Sequence, residues 1–274
     1  MSNGEAELSR ARRWPWVAAG VLAVLGLAAV ALTLRFRDTE TPVSVTEALE
    51  RFESDAAPTP VPTEQPEQGQ VDVLPSPGVY VYSTAGGEEI DALGGTRHDY
   101  PRETALTVRT GGCGVVLTWQ PLEERFEEWE LCLRDGSLTM PSYTAFHRFF
   151  GTDDRQDFLC EPAIVLIPRL GAEGSDSATC ETSRNLVETV QVTVLAREVL
   201  TVGTSEVEAV GLEFEIASEG SAHGTTSAEM WISTETGAVV RWSETVESVS
   251  TSLIGDVTYA EQFDMQLTML EPVQ

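Results

Sequence analysis

The feature that most constrains this chain is a run of twenty-one uncharged residues from Trp14 to Leu34. As an α-helix the run is about 31 Å long, which matches the hydrocarbon core of a bilayer. Three arginines precede it and two follow it, and this bias predicts a cytoplasmic amino terminus. We therefore predict a single-pass cell-membrane protein, with a cytoplasmic tail at 1–13, a transmembrane helix at 14–34 and an extracytoplasmic carboxyl-terminal domain.

A cleaved signal peptide is the alternative interpretation of this run, since Ala29-Val30-Ala31 has the A-x-A form of a cleavage site. The run is longer than a usual signal-peptide core, and cleavage there would remove much of its end. The basic flanks also argue against a buried core helix. We favour an uncleaved anchor.

The remainder of the chain is strongly acidic. The formal net charge is −27, and residues 1–37 carry five arginines against two glutamates, so residues 38–274 carry −30. Such a domain repels nucleic acid and anionic headgroups, which excludes nucleic-acid binding. Solubility is the simplest explanation of the charge, and attraction of cations or of a basic partner is the other.

The four cysteines, Cys113, Cys132, Cys160 and Cys180, all follow the apolar run. An even number in a translocated segment predicts two disulfides. We favour 113–132, which would flank a hairpin, and 160–180, which would close a Gly/Ser-rich excursion. Cys113 shares its strand parity with Val115, whereas Cys132 shares its parity with glutamates, and a β-bulge would reconcile the first pair.

Residues 35–77 are predicted to be a juxtamembrane segment and a disordered Pro-rich linker. Within them, Ser44-Val45-Thr46-Glu47 has the pattern of a capping box. It predicts a short helix with Val45, Ala48, Leu49 and Phe52 on one face, although a frayed turn fits equally well.

Residues 78–274 show the alternation of β-strands. Turns are expected at Gly86-Gly87, Asp135-Gly136 and 235–237, and a loop at 171–179 suggests a subdivision near 171–185. Strands at this spacing, joined by hairpin turns, are typical of an antiparallel meander. The predicted fold class is mainly β.

The hairpin from Trp231 to Arg241 resembles that of bacterial envelope proteins of the LolA/LppX/RseB-like type. The resemblance implies a half-barrel-like sheet with a concave apolar face that receives lipid chains or a lipoprotein signal. Ala238-Val239 stands where those proteins have Leu-Pro, and the chain has no lipobox cysteine. A composition without lysine is similar to that of membrane-anchored proteins of high-GC bacteria.

The sequence presents no catalytic constellation, so we expect a non-enzymatic protein without cofactor or metal. His98-Asp99 cannot act as an orienting pair, because neighbouring strand residues point to opposite faces. His147 is expected to pack among aromatic residues, and 123–128 is interpreted as the wet face of a strand or turn. Residues 153–157, a compact group of carboxylates, are expected on a loop. Calcium binding is the alternative for this segment, but it lacks the spacing and the glycine of an EF-hand.

Two functions remain open from the sequence. The first is binding of a lipid or other amphipathic ligand on a concave sheet, by a domain tethered to the membrane. The second is a protein–protein interaction or sensor module that meets another envelope protein, since the linker presents an acidic domain at a distance from the membrane.

Overall fold

The computed structural model describes residues 39–55, 74–167, 174–252 and 255–274. These residues form one α-helix, a short 3-10 turn (Ala92–Gly94) and thirteen strands in one antiparallel sheet, which confirms the mainly β fold class. The bounds are α1 Val45–Asp55, β1 Gly78–Ile90, β2 Thr96–Asp99, β3 Glu103–Thr110, β4 Gly114–Leu122, β5 Arg125–Arg134, β6 Ser137–Phe149, β7 Thr152–Ile167, β8 Gly174–Glu181, β9 Leu186–Val202, β10 Ser205–Gly220, β11 Ala222–Ser233, β12 Val239–Ser252 and β13 Gly255–Leu267.

The predicted transmembrane helix at 14–34 and most of the predicted linker lie outside the described residues. Within the described ranges, no helix is both long and apolar enough to span a bilayer. The folded unit extends from Glu40 to Gln274, so it includes α1.

The sheet closes on itself. From β3 to β13 each strand pairs with the next one in sequence, and β1 joins the two ends of this series. The first half of β1, Gly78–Ser83, pairs with β3, and its second half, Tyr82–Ile90, pairs with β13. The expected half-barrel would have two free edges, and here the thirteen-residue β1 is long enough to bridge them. Closure satisfies backbone groups that an open edge would leave unpaired.

The turn predicted at Gly86-Gly87 is wrong, since β1 continues through both residues. Both glycines instead allow the neighbouring strands to lie unusually close to β1. A Cβ at Gly86 would clash with the carbonyl oxygen of Gln262 on β13, and one at Gly87 would clash with that of His98 on β2. Gly86 also has a φ of +134°, which a side chain disfavours.

The capping box predicted at Ser44 is confirmed. The Glu47 amide donates to Ser44 Oγ at 3.2 Å, and the Ser44 amide donates to the Glu47 carboxylate at 2.8 Å. Helix α1 then packs Ala48 against Val79 and Ala105 on the outer face of the sheet. An eleven-residue helix is marginal alone, and this surface supplies the burial that it needs.

Both favoured cysteine pairs lie at disulfide distance. The Cα atoms of Cys113 and Cys132 are 5.1 Å apart, and those of Cys160 and Cys180, opposite each other on β7 and β8, are 3.9 Å apart. The irregularity expected near the first pair is present, because the pairing of β5 with β6 shifts register between Glu130 and Cys132, and Cys113 itself lies in the turn before β4. Its side chain is therefore not bound by the alternation of that strand.

The strands on either side of 171–185 belong to the same sheet, since β8 pairs with both β7 and β9. Part of the loop expected at 171–179 is strand β8. Inside the closed sheet, a packed aromatic cluster fills part of the interior with Tyr100, Trp119, Trp129, Trp242 and Phe263. The space beside this cluster is the candidate site.

Candidate functional site

A cavity of about 690 Å³ lies inside the closed sheet. Its volume falls within the range of ligand sites, about 300–1,000 Å³. Most of its wall is apolar, and the principal apolar members are Leu106, Leu117, Leu131, Met140, Phe158, Leu166, Val190, Phe214, Ala228 and Met230.

The alternation along β9 and β10 shows why these side chains line the interior. Phe214 and Ile216 face the cavity, whereas Glu213 and Glu215 are exposed on the outer face. Ile216 pairs with Val190 of β9, which also faces inward. The period of two that predicted these strands therefore predicts the cavity wall as well.

Apolar side chains also form one border of the cavity. Leu93, in the 3-10 turn between β1 and β2, lines the cavity and is nevertheless 56% exposed. Ile90 and Phe150 lie on the same border and are partly exposed. A leucine shared by the cavity and solvent indicates an entrance.

Charged and hydroxyl side chains form a polar belt across the cavity. On one side of the belt, Arg125 Nε and Nη2 donate to the two carboxylate oxygens of Glu261 at 3.1 and 3.0 Å. The hydroxyl of Tyr259 donates to Glu261 at 2.7 Å, and that of Tyr100 donates to it as well. Burial lowers the pKa of Arg125, but the carboxylates of Glu127 and Glu261 outweigh burial and raise it well above its usual range. Arg125 therefore stays charged.

Next to this pair, Glu88 is fully buried between two histidines. Its carboxylate oxygens lie 3.0 Å from His98 Nδ1 and 2.9 Å from His147 Nδ1, and the Tyr259 hydroxyl oxygen, whose one proton is donated to Glu261, lies 3.1 Å from it. Burial raises the pKa of Glu88, but the bonds to His147 and His98 outweigh burial and lower it to about 2. We call Arg125, Glu261, Glu88, His98 and His147 the paired side of the belt; Arg125, Glu261 and His147 line the cavity, and the fully buried Glu88 and His98 lie behind them.

Three further glutamates form the open side of the belt: Glu127, Glu188 and Glu244. Glu127 accepts a bond from Arg125, which it shares with Glu261. Glu188 accepts bonds from the hydroxyls of Tyr143 and, at 3.0 Å, Ser218.

Glu244 has no hydrogen-bond donor in the part of the chain that the structure describes, although it lines the cavity. Burial raises the pKa of Glu127, Glu188 and Glu244. For Glu244, the nearby charges of Glu127 and Glu261 raise it further.

One carboxylate group of the belt has the compactness of a cation site. Oxygens of Glu127, Glu244 and Glu261 lie within 4.8 Å of one another. Arg125 already binds two of these three carboxylates. A guanidinium at this position repels a divalent ion, so the group suits an inorganic ion less well than its oxygens alone suggest.

The structure places the predicted histidines as follows. His98 is buried, while Asp99 is exposed and accepts a bond from Arg97 at 2.7 Å, so the expected opposite faces are confirmed. His147 packs on the ring of Tyr259, as expected, and also binds Glu88, which was not expected.

The expected loop at 153–157 is wrong, because these residues lie on β7. Asp153, Asp154 and Asp157 each bind an arginine: Arg148, Arg184 and Arg155, respectively. The interpretation of 123–128 as a wet face is also wrong at Arg125 and Glu127, which line the cavity.

Three comparisons with known proteins give no match: no family model matches the sequence, no curated protein matches it, and no solved structure matches the fold.

Proposed function

We propose that this domain binds an amphipathic ligand inside the closed sheet, without catalysis. The cavity carries the proposal, because its wall combines a large apolar surface with one localised polar belt. Small-molecule sites have this composition, in which apolar side chains supply burial and a few polar groups fix orientation. The apolar body of the ligand would lie along Leu117, Phe214 and Met230, and its polar group would meet the belt.

The entrance is consistent with a ligand that has an apolar part. Leu93 and Phe150 would contact the ligand as it enters, since both line the cavity, Leu93 is exposed and Phe150 is partly exposed. We also propose that the uncharged run 14–34 anchors the domain to the membrane and that the domain lies outside the cytoplasm. The two cysteine pairs at disulfide distance support an oxidising compartment.

Filling the cavity tests the proposed function. Ala228 of β11 faces the cavity, and the preceding residue, Ser227, is exposed on the outer face of the same strand. We expect Ala228→Phe to occupy ligand space and Ser227→Phe to leave it free. Binding of tritiated dodecanol would be measured on the full chain in phosphatidylcholine nanodiscs, with the signal of empty nanodiscs subtracted.

The proposal predicts saturable binding by the wild-type protein and by Ser227→Phe, and at least about tenfold weaker binding by Ala228→Phe, equivalent to about 1.4 kcal/mol. Circular dichroism and thermal unfolding would show that both variants are folded. Equal binding by all three proteins, or none by the wild type, would contradict the proposed function.

A further inference from the structure

The charges on the cavity wall identify the class of ligand. The carboxylates of Glu127, Glu188, Glu244 and Glu261 line the cavity, and Arg125 is the one arginine among its described lining residues. Arg125 bonds to Glu127 and Glu261. One guanidinium therefore faces four carboxyl groups, so the belt has more groups that can pair with a cation than it has cations.

The carboxyl groups of the belt are most concentrated around Glu244. Its neighbours across the belt are the carboxylates of Glu127 and Glu261, whose oxygens lie within 4.8 Å of its own. It receives no hydrogen bond from any residue that the structure describes. A carboxylate that faces an apolar cavity without a donor is costly unless it is protonated or meets a cation.

Aromatic side chains accompany these carboxylates. Trp129 lies two residues from Glu127 on β5, and Trp242 lies two residues from Glu244 on β12, so each tryptophan shares the inward face with its glutamate. The two rings are in contact, with centroids 4.5 Å apart. Indole rings attract alkylated ammonium groups, and the combination of ring and carboxylate suits an organic cation.

We propose that the ligand is a cationic amphiphile, whose ammonium group lies between Glu244 and Glu127 and whose apolar body fills the rest of the cavity. This inference rests on the proposed function and narrows it. An amphiphile with a carboxylate or phosphate head would meet like charges in a confined apolar space. The Arg125 guanidinium repels a divalent ion more strongly than a singly charged ammonium group, and a divalent ion would also leave the apolar wall unused.

Photolabelling separates this inference from the proposed function. The full chain in phosphatidylcholine vesicles would be exposed to three dodecyl probes that carry a diazirine in the chain and end in ammonium, alcohol or carboxylate. Mass spectrometry of peptides would measure labelling of the cavity wall. The variants are Glu244→Gln, which removes the charge and keeps the shape, and Glu213→Gln, an exposed control on β10.

The inference predicts that the ammonium probe labels the wall about tenfold more than the carboxylate probe. Glu244→Gln should reduce ammonium labelling by a similar factor and leave alcohol labelling within about twofold, while Glu213→Gln should change neither. Thermal unfolding would establish that both variants are folded.

Equal labelling by the ammonium and carboxylate probes, or an unchanged preference in Glu244→Gln, would overturn the cationic ligand while the alcohol probe still supports a binding cavity. Absence of wall labelling with all three probes would overturn the proposed function as well.

Discussion

The two sides of the polar belt contain the same residue type in the same sheet, and they differ in their partners. On the paired side, Glu88 meets two histidines and Glu261 meets Arg125 and two tyrosines. On the open side, Glu127 shares Arg125 with Glu261, Glu188 meets only hydroxyls and Glu244 meets no described donor. The paired side has the features of a structural network. The open side has the features of a surface that binds a ligand.

Loss of Arg125 should have the largest effect, because it leaves Glu261 and Glu127 buried without a counter-ion. We expect Arg125→Met to lower the free energy of unfolding by about 3–5 kcal/mol. Denaturation in urea measures this change. The control is Arg197→Met, which breaks an exposed pair with Glu208 at 2.9 Å and should cost less than about 1 kcal/mol. Similar losses in both variants would remove the distinction between a buried network and a surface pair.

The same substitution on the two sides of the belt should have opposite effects. Glu88→Gln weakens the bonds to His98 and His147, so we expect it to lower the free energy of unfolding by about 1–3 kcal/mol. Glu244→Gln removes a charge that faces the cavity and has no donor among the described residues, so we expect it to leave stability unchanged or to raise it. Thermal and urea unfolding would measure the stability of both variants. If Glu244→Gln lowers the free energy of unfolding as much as Glu88→Gln does, the open side is structural.

The pH dependence of stability should also separate the two sides. The pKa of Glu88 is lowered from 4.5 to about 2, so its contribution is complete above pH 4.5 and is lost as the pH falls toward 2. The raised pKa of Glu244, Glu188 and Glu127 has the opposite sign, since ionisation of these groups above pH 4.5 costs stability.

We therefore expect the unfolding temperature of the ligand-free protein to rise from pH 2 to a maximum in mild acid and then to decline toward neutral pH. Glu244→Gln should flatten the decline and leave the acid limb in place. A profile that rises steadily to neutral pH would contradict the assignment of the open side.

The smallest loss of stability is expected from removal of the Ser218 hydroxyl, which donates to Glu188. Ser218→Ala removes a bond of 3.0 Å inside the cavity, and we expect it to cost about 0.5–1.5 kcal/mol. The matched control is Ser227→Ala, which removes a bond of 3.1 Å to Glu215 on the exposed outer face and should cost less than about 0.5 kcal/mol. Calorimetric unfolding of the two variants would compare them, and equal costs would indicate that Glu188 is no more dependent on its donors than a surface carboxylate.

The local features of this fold could be predicted from the sequence. The capping box at Ser44 and the turns at Asp135-Gly136 and 235–237 depend on residues close together in the chain, and the structure contains them. The alternation in the second half also predicted which side chains of β9 and β10 face inward.

The closure of the sheet could not be predicted, because it depends on the register of β1 with a strand at the other end of the chain. Gly86-Gly87 has the composition of a turn, and only the presence of β13 and β2 on its two sides explains it as a close approach.

The sequence pattern indicates two residues of the polar belt, but the prediction from sequence missed them. Glu127 shares its parity with Trp129 and Leu131, and Glu244 shares its parity with Trp242, so each is a charged residue on the apolar face of its strand. A charge at such a position indicates a functional or paired site rather than a wet face.

Native mass spectrometry of the full chain, expressed in cells and released gently from the membrane, tests the central claim most directly. The account predicts that the wild-type protein and Ser227→Phe carry one small amphiphile per chain, that this molecule ionises as a cation after extraction, and that Ala228→Phe is empty. A wild-type protein that is always empty, or a ligand that remains bound to Ala228→Phe, would contradict it.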